Sequence, residues 1–518
     1  MSDMSDATTV AGPLTVDAVA CFVAGEDWHR IRPSWPPDVF GIAAAILAVS
    51  GRYVDVVRPV LSSDWATEIA RIASSWRFEL LARESAPSDV QQAWERLVGA
   101  RSCEVQTLRE NRDLVTSLLL LLAASDEACR DFLGPEADRG RALGYQLARN
   151  RFRSLCRHVD PSRARVLPKS HVPQVGLSIQ SLSRFVGLYF AEDTDAHFYT
   201  TTQPRDRGPS LRILVVPWPF QLEPSAFVPS RPDRNDMPAP FDTFEIRREP
   251  QPDRVSEVVE RLLDAVPQPS EAVDLLVFPE LALFDEESQA LHQLTQAKGI
   301  TLVAGVHHES RSLQRSVNTA AILQDDWARP VYQHKHHRWK IDSGQIHDYG
   351  LRLDTQCIWW EDTAVERRVC NVFQLRDDLT FSVLVCEDVA RQHPVMPFLR
   401  AAGPDLIVTL LMDGPQHAAR WSSRYAASLV DDPGSSVLSL TSMGMCLLDR
   451  RRSAGRVAVG SWTDSKGRTE ILLEPEDPGA FLELDVTEAD EWTADGRRSR
   501  SRRLTLDHSR TCPCIAVR

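Results

Sequence analysis

The 518-residue sequence lacks several features that would assign it to a class at once. Its longest apolar run, residues 114–124, falls well short of the roughly 20 residues that span a bilayer, so it predicts a buried helix. The first residues, MSDMSD, show no basic region followed by an apolar core, as a secretory signal would. None of the ten cysteines forms a CxxC pair, so the usual zinc-ribbon and thioredoxin spacings are absent. We therefore expect a cytoplasmic protein with reduced thiols and no membrane association.

Positive charge is also scarce. The chain has 59 Lys and Arg residues against 72 Asp and Glu residues, a formal net charge of −13. A general nucleic-acid binder needs a basic face, so nucleic acid is not an expected partner. The exception is an arginine-rich run at 497–503, which predicts a solvated tail or a salt-bridged subunit contact over residues 496–518. Cys512 and Cys514 in this tail are expected to be a free, exposed pair.

The first ~200 residues carry helical patterns and few strand signals. Apolar residues recur at three- and four-residue steps, and Asp64 is a candidate N-cap. Helices are predicted at 39–58, from 64 onward, and at 88–97, 104–132 and 139–157. Residues 1–205 are therefore predicted to form an α-helical domain of unknown role, and the polar segment 203–210 is the best linker candidate.

Strand and helix patterns alternate after Leu211, which indicates an α/β domain with layered sheets. Strands are predicted at 211–216, 274–278, 300–306, 318–323, 368–373, 379–385, 406–411, 436–440, 457–461, 469–473 and 481–486. Helices are predicted at 253–266, 285–298, 395–402 and 420–430. Residues 220–253 are rich in Pro, Asp and Arg, so they are predicted to form a long surface insertion that could serve as a lid.

Three short segments place reactive side chains at or just after apolar strands. Residues 275–280 (LLVFPE) end in Glu280, residues 331–340 (VYQHKHHRWK) contain Lys335, and residues 381–388 (FSVLVCED) contain Cys386. In α/β folds, active sites are built at the carboxyl ends of strands. A nearby lysine lowers the pKa of a thiol and can stabilise an oxyanion, and a glutamate can accept the thiol proton. Each pattern alone also fits an ordinary turn or a structural thiol, so the prediction of a nucleophilic site depends on all three.

Two other basic clusters invite different interpretations. His334, His336 and His337 could place two imidazoles on one strand face, as zinc sites do, but no HExxH or similar motif accompanies them. No metal is therefore predicted. The arginines at 450–452 could bind an anionic substrate group, although a surface or dimer salt bridge is the more ordinary explanation.

The order of these motifs resembles the nitrilase, or carbon–nitrogen hydrolase, superfamily. The resemblance lies in FPE, then a lysine in a Tyr-x-x-Lys-x-His setting, then Cys-x-Asp, at intervals of 55 residues (335 − 280) and 51 residues (386 − 335). The strand led by Asn318, the segment 403–408 (GPDLIV) and the Gly460-Ser461 pair also resemble family segments. The resemblance covers roughly residues 210–490.

This resemblance implies a fold, a site and a reaction. The fold is an αββα sandwich over residues 206–495, usually paired with a second copy of itself as a homodimer or higher oligomer. Glu280 would be the general base, Lys335 the oxyanion-stabilising cation and Cys386 the nucleophile. The reaction would be cleavage of a small amide or nitrile through a thioester, with no cofactor. The helical domain would remain available to a protein partner.

Three departures from the family pattern leave alternatives open. Lys335 lies three residues after Tyr332 where two are usual, so Lys340 is the second candidate for the cation. Many members carry a second glutamate about ten residues after the lysine, and here Gln345 or Asp348 would occupy that position. Cys386 is followed by Glu-Asp, as in the glutaminase domains of NAD synthetases.

These observations leave three hypotheses for function. The first is a cysteine-dependent C–N hydrolase. The second is a non-catalytic binding or regulatory protein of the same fold in a larger assembly, and the third is an acyltransferase that forms an amide.

Overall fold

The computed structural model describes most of the chain, in the ranges 13–51, 64–130, 154–191, 194–200, 209–230, 237–265, 272–310, 315–324, 327–365, 367–376, 379–452, 454–507 and 512–513. It contains two units. Unit 1 comprises Met1–Thr200, Pro397–Gly403 and Ala489–Ser501. Unit 2 comprises Thr201–Met396, Pro404–Glu488 and Arg502–Arg518.

Helices dominate the first part of unit 1. They are α1 (Val16–Ala24), α2 (Pro36–Ser50), α3 (Trp65–Arg83), α4 (Ser88–Gly99) and α5 (Arg112–Ala128). Asp64 occupies the predicted N-cap position of α3, and the apolar run 114–124 lies buried in α5, as predicted. Within the described residues, none of the helices combines the length and apolar character needed to cross a membrane.

The boundaries of three predicted helices need correction. Helix α2 begins before residue 39 and ends at Ser50, because Gly51 adopts the left-handed φ of +59° that stops a helix. The predicted helix 104–132 is instead a 3₁₀ helix, Val105–Glu110, followed by α5. Most of the predicted helix 139–157 lies outside the described residues, and its described part, 154–157, is not helical.

The prediction that residues 1–205 are all α-helical is wrong. Three strands follow the helices: β1 (Ala164–Pro168), β2 (Val186–Phe190) and β3 (Thr194–Tyr199), with β1 and β2 paired antiparallel. Every residue of β1 is buried, and a short, fully buried apolar run has no period that separates strand from helix. The Asp126 carboxylate at the end of α5 accepts backbone N–H bonds from residues 184–186, which anchors the start of β2.

The prediction of a basic tail at 496–518 is wrong over residues 497–506, and residues 508–511 and 514–518 lie outside the described residues. Most of the arginine run lies in β20 (Arg498–Leu506), which neighbours β19 (Ala480–Trp492) in a sheet. Arg497, between them, is 5% exposed and ion-pairs with Asp126 at 2.8 Å and with Asp495 at 2.9 Å. Two further arginines pair with acids of the neighbouring strand, Arg498 with Asp490 and Arg502 with Glu488. Cys514 lies outside the described residues, so the expected exposed cysteine pair stays a prediction.

Strands alternate with helices from residue 210 onward, as predicted. The remaining strands are β4 (Ser210–Val215), β5 (Phe227–Pro229), β6 (Phe241–Ile246), β7 (Leu275–Phe284), β8 (Thr301–Ser310), β9 (Arg315–Leu323), β10 (Val331–His334), β11 (Lys340–Ile341), β12 (Ile358–Glu361), β13 (Arg368–Arg376), β14 (Leu379–Val385), β15 (Leu406–Leu410), β16 (Ser436–Leu440), β17 (Val457–Asp464), β18 (Gly467–Leu473) and β21 (Cys512–Pro513). The helices are α6 (Pro252–Asp264), α7 (Asp285–Lys298), α8 (Ser343–Tyr349), α9 (Val395–Ala402), α10 (Trp421–Asp431) and α11 (Met443–Leu448).

Two sheets form the body of unit 2. One has the order β10-β9-β8-β7-β4-β19-β20, with β4, β7 and β8 parallel. The other contains the run β18-β17-β16-β15-β14-β13, with β14, β15 and β16 parallel. Strands β7, β9 and β10 of the first sheet contact β13, β14 and β15 of the second, α7 packs on β7 and β8, and α10 packs on β16 and β17. Two packed sheets with helices against them therefore give this unit a mixed α/β architecture.

The prediction that residues 220–253 form only a surface insertion is wrong in part. Strands β5 and β6 of this segment join β11 and β12 in a separate four-stranded sheet of order β11-β12-β6-β5. Phe227 and Phe244 on it are buried, and their rings lie 6.3 and 5.7 Å from the ring of Trp339. The segment thus contributes an apolar core of its own.

A glycine on β8 permits the close approach of two strands where β7 is irregular. The register of β7 with β8 shifts between Phe278 and Leu283. A Cβ atom at Gly305 would lie 2.2 Å from the Pro279 carbonyl oxygen and 2.5 Å from the Glu280 Cα. Both are backbone atoms, so neither can move aside as a flexible side chain would.

The substitution Gly305→Ala should therefore destabilise the protein by about 1–3 kcal/mol, the usual cost of overpacking a core. Thermal unfolding measures the effect. Gly99→Ala is the matched control, because a Cβ there meets nothing within 4 Å and the residue ends a helix. Equal melting temperatures for the two variants would contradict the proposed close approach.

Candidate active site

Four reactive side chains meet at one end of the sheets of unit 2. Glu280 lies in the irregular part of β7, Lys335 directly follows β10, and Cys386 directly follows β14. The fourth, Glu361, ends β12 of the small sheet. All four residues are buried, so their interactions are made away from bulk water.

The Lys335 ammonium is held between two carboxylates. Its Nζ lies 2.7 Å from Glu280 Oε1 and 2.6 Å from Glu361 Oε2, and its side chain is 1% exposed. Burial disfavours the charged lysine, but the two carboxylates outweigh burial and hold the pKa of Lys335 well above its usual value. Lys335 therefore remains a cation at physiological pH.

Glu280 is a carboxylate with one oxygen uncommitted. Its Oε1 accepts hydrogen bonds from Lys335 and from Asn318 Nδ2, the latter at 2.8 Å. Its buried Oε2 has no hydrogen-bond partner among the described residues. Burial raises the pKa of Glu280, and the charge of Glu361 raises it further, against the lowering effect of Lys335. The result is a stronger base than an exposed glutamate, with a free oxygen to take a proton.

Glu361 is the site residue that the sequence reasoning missed. Its Oε2 also accepts the backbone N–H of Trp339 at 3.0 Å, and its Oε1 accepts Asn318 Nδ2 at 2.6 Å. Burial opposes ionisation, but Lys335 and these donors hold its pKa below the usual value. A sequence signal was present, because residues 358–361 (IWWE) repeat the pattern of an apolar run that ends in an acid.

The two residues expected to replace the second glutamate have other roles. Gln345 lies in the first turn of α8, where its N–H bonds the Asp342 carboxylate in a capping box. Asp348 pairs with Arg451 at 2.9 Å. Lys340, the second candidate for the cation, is exposed on β11. The structure therefore brings Lys335, and not Lys340, to Glu280.

Cys386 has an unusual backbone conformation for a non-glycine residue. Its φ is +49°, in the left-handed region, directly after the buried strand β14. Burial raises the pKa of its thiol well above the usual value, and so does the charge of Glu280, while Lys335 and the Met412 backbone N–H lower it. The resting residue is thus a neutral thiol within electrostatic reach of both an acid and a cation.

The histidines at 334–337 lie on either side of Lys335, and two of them make contacts that fix the loop that carries it. Asp388 accepts the backbone N–H of His336 at 3.0 Å and lies 2.8 Å from His337 Nδ1. His336 Nε2 lies 3.1 Å from the Val369 carbonyl oxygen. Across the described ranges, no group of three or more His, Cys, Asp or Glu side chains could hold a metal ion. The Cys-x-Asp motif therefore links the segment after β14 to the loop that carries Lys335.

Among the arginines at 450–452, Arg451 forms two ion pairs. Arg451 contacts Asp348 at 2.9 Å and Asp449 at 3.1 Å. These contacts lie within the chain, so they correspond to the more ordinary of the two explanations, a salt bridge. An anion-binding role for the cluster stays a prediction.

Comparison with known proteins gives a coarse likeness of fold. No model of a known protein family and no curated protein sequence matches this chain. Among solved structures, a glutamine-dependent NAD+ synthetase from Acinetobacter baumannii is 14% identical with a TM-score of 0.35, over 53% of this chain and 46% of that one. The chain thus spans less than half of that protein.

Two further solved structures cover a similar part of this chain. A CN-hydrolase superfamily protein from Xanthomonas campestris is 13% identical with a TM-score of 0.34, over 53% of this chain and 89% of that one. Nit3 from Saccharomyces cerevisiae, a nitrilase superfamily member, is 15% identical with a TM-score of 0.33, over 55% of this chain and 93% of that one. Each of the three similarities covers about half of this chain.

The electrostatic contact between Glu280 and Cys386 can be tested without a substrate. Because the Glu280 charge raises the pKa of the Cys386 thiol, Glu280→Gln should move the midpoint of Cys386 alkylation by iodoacetamide to lower pH. Mass spectrometry of the peptide that contains Cys386, sampled across pH, measures the midpoint. The control Glu286→Gln removes an exposed carboxylate of α7 and should leave it unchanged. A midpoint that stays or rises in Glu280→Gln would rule the contact out.

Proposed function

We propose that this protein is a cysteine-dependent hydrolase that cleaves a non-peptide carbon–nitrogen bond, in an amide or a nitrile, through a thioester. One observation carries the proposal. A buried lysine ammonium joins two carboxylates, and beside them is the thiol of Cys386, a residue whose backbone φ lies in the left-handed region. A purely structural ion pair needs neither the uncommitted oxygen of Glu280 nor the backbone strain at Cys386, because such strain is usually retained where function needs it.

The first step forms the carbon–sulfur bond. For an amide, the Cys386 thiol gives its proton to Glu280 Oε2, the oxygen that has no partner among the described residues, and the sulfur attacks the carbonyl carbon. The carbonyl π pair moves to oxygen and gives an oxyanion. The raised pKa of Glu280 suits it to hold the proton while the intermediate lasts.

Lys335 has one donor left for that oxyanion. An ammonium carries three N–H donors, and two of them are engaged by Glu280 and Glu361. The third can bond the oxyanion in a buried setting, where a charged donor stabilises it far more than in water. Glu361 supports this role, because it adds negative charge that keeps Lys335 protonated.

The second half returns the enzyme to its starting state. The carbonyl re-forms as the C–N bond breaks, and Glu280 gives its proton to the leaving amine, which departs and leaves a thioester on Cys386. Water then attacks the thioester carbon while Glu280 takes a proton from it. The C–S bond breaks, the acid leaves, and Glu280 returns the proton to sulfur. With a nitrile, the thiol adds across the carbon–nitrogen triple bond, its proton passing through Glu280 to nitrogen, and gives a thioimidate. Water then adds to the thioimidate carbon, and loss of ammonia leaves the same thioester.

Removal of the nucleophile should abolish turnover and leave the fold intact. We expect Cys386→Ala to lower kcat/KM roughly 10³-fold or more on any amide or nitrile that the wild type cleaves, with an unchanged far-UV circular dichroism spectrum. Cys446→Ala is the control, since Cys446 is also buried but lies on α11, with its sulfur 3.9 Å from the Ala458 carbonyl oxygen. Equal activity of wild type and Cys386→Ala would refute the proposal.

The same assay separates hydrolysis from acyl transfer. Hydrolysis yields free acid, whereas a transferase supplied with an amine such as hydroxylamine yields the amide-type product at the expense of the acid. Dominance of the transferred product would replace the hydrolase with the acyltransferase alternative. The absence of an acyl adduct on Cys386 with every amide and nitrile tested would favour a binding or regulatory role.

The pH dependence of kcat/KM should report the ionisation of Glu280. Activity needs the ionised carboxylate, which is lost as pH falls through its raised pKa, so the acid limb should lie above the ordinary glutamate value of 4.5. The charge of Glu361 contributes to that rise. Glu361→Gln should therefore shift the acid limb to lower pH, while it lowers the plateau because Lys335 loses a partner.

Asp348→Asn is the matched control for the pH profile. Asp348 stands at a position where the family pattern favours a second glutamate, but it pairs with Arg451 instead. Its replacement should leave the acid limb where it is. A shift in Asp348→Asn with none in Glu361→Gln would reverse the assignment of the second carboxylate.

A further inference from the structure

Apolar residues of one hydrophobic cluster adjoin three of the four reactive side chains. Leu281 directly follows Glu280, the Trp339 backbone N–H bonds Glu361, and the Met412 backbone N–H lies near enough to the Cys386 sulfur to lower the pKa of its thiol. These three side chains belong to one hydrophobic cluster, and we call them the apolar wall. They come from three distant parts of unit 2, so their meeting is a product of the tertiary fold.

Leu281 presents an accessible part of this wall. It is only partly buried, whereas Trp339 and Met412 are buried. Its φ of +50° lies in the left-handed region within the irregular part of β7. A leucine is rarely held in this conformation, and strain of this kind clusters at ligand-binding positions.

The wall is backed by aromatic rings of the small sheet. The ring of Phe244 lies 5.7 Å from that of Trp339 in an edge-on arrangement, and the ring of Phe227 lies 6.3 Å away. Close-packed interiors of this kind resist the entry of water and of charge. The apolar character therefore extends behind the side chains that adjoin the reactive groups.

The carboxylate that follows the wall residue Met412 in sequence is already engaged by other groups of the protein. Asp413 follows Met412, but its carboxylate accepts the Tyr349 hydroxyl at 2.7 Å, Trp421 Nε1 at 2.9 Å and an Arg420 guanidinium. The reactive groups themselves contain two carboxylates and one ammonium, so they disfavour a third anion nearby. Glu387, next to Cys386, is paired with Arg391 at 2.8 Å.

We infer that the substrate carries an uncharged, apolar acyl group, aliphatic or aromatic, on the carbon that Cys386 attacks. This inference rests on the hydrolase function proposed above and specifies its substrate class. The acyl group would lie against the apolar wall while the thioester exists. A carboxylate or a zwitterionic amino-acid head in that place would lose its hydration with no partner to replace it.

The substrate class can be measured on the full-length wild type with matched pairs of compounds. Pentanamide and succinamate are similar in size, but only succinamate carries a carboxylate, and L-glutamine adds the zwitterionic case. We expect kcat/KM for pentanamide to exceed that for either charged amide roughly 100-fold or more. It should rise roughly fourfold from butanamide to pentanamide, as expected for one buried methylene. The corresponding nitriles are assayed in parallel.

A charge placed on the wall should reverse part of this preference. Leu281→Arg should lower the ratio of kcat/KM for pentanamide to that for succinamate by roughly tenfold or more, because it offers the carboxylate a partner. The control Phe78→Arg introduces the same charge on α3 in unit 1, at a side chain that is 74% exposed, and should leave the ratio unchanged.

A substrate-independent measurement keeps the two proposals distinguishable. Iodoacetamide and iodoacetate differ chiefly in charge. The rate at which each alkylates Cys386 is divided by the rate at which it alkylates free cysteine. This relative rate should be roughly tenfold or more higher for the neutral reagent in the wild type. Preference for succinamate or L-glutamine would overturn the apolar acyl group and leave the hydrolase standing. Labelling of Cys386 with no cleavage of any amide or nitrile would overturn the hydrolase, and the substrate class with it.

Discussion

The structure of the candidate site depends on one interaction, a fully buried ammonium between two carboxylates. Lys335 reaches Glu280 and Glu361 at 2.7 and 2.6 Å, and Asn318 bridges the same two acids. Removal of Lys335 would leave two buried carboxylates without their cation, at a cost of several kcal/mol. The strands that carry these residues are therefore constrained to meet, and the thiol of Cys386 lies in a field that this cluster sets.

The small sheet β11-β12-β6-β5 positions one of the two carboxylates that hold Lys335. Glu361 ends β12, which pairs in parallel with β6 of the segment 220–253. The backbone N–H of residue 362 bonds the Phe244 carbonyl oxygen at 2.8 Å, next to the carboxylate that holds Lys335. A segment that looks like a surface insertion in the sequence thus positions a charged residue of the site and supplies the aromatic backing of the apolar wall.

Local patterns predicted much of this arrangement. Glu280 and Cys386 each follow a run of apolar residues, Lys335 lies in a distinctive cationic segment, and the alternation of strands and helices after residue 210 indicated the layered α/β architecture. Glu361 could not be assigned in this way, because β12 is short and gains its meaning only by pairing with a strand more than 100 residues earlier. The strands at 164–199 and the arginine-bearing strand β20 were not predicted from the sequence, for related reasons. In a fully buried strand, apolar and polar residues do not alternate, so the sequence pattern of a strand is missing. In β20, acids of the neighbouring strand neutralise a basic run that by itself resembles a tail.

The sequence by itself determined the residue types, their order and the apolar runs that precede Glu280 and Cys386. It did so because hydrophobic periodicity and strand-ending acids are local properties. Only the tertiary structure decided that Glu361 is the second carboxylate, that Lys340 is exposed, and that Leu281, Trp339 and Met412 form one surface. These facts depend on contacts between residues far apart in the chain, and on the electrostatic requirement that a buried charge be matched at short distance.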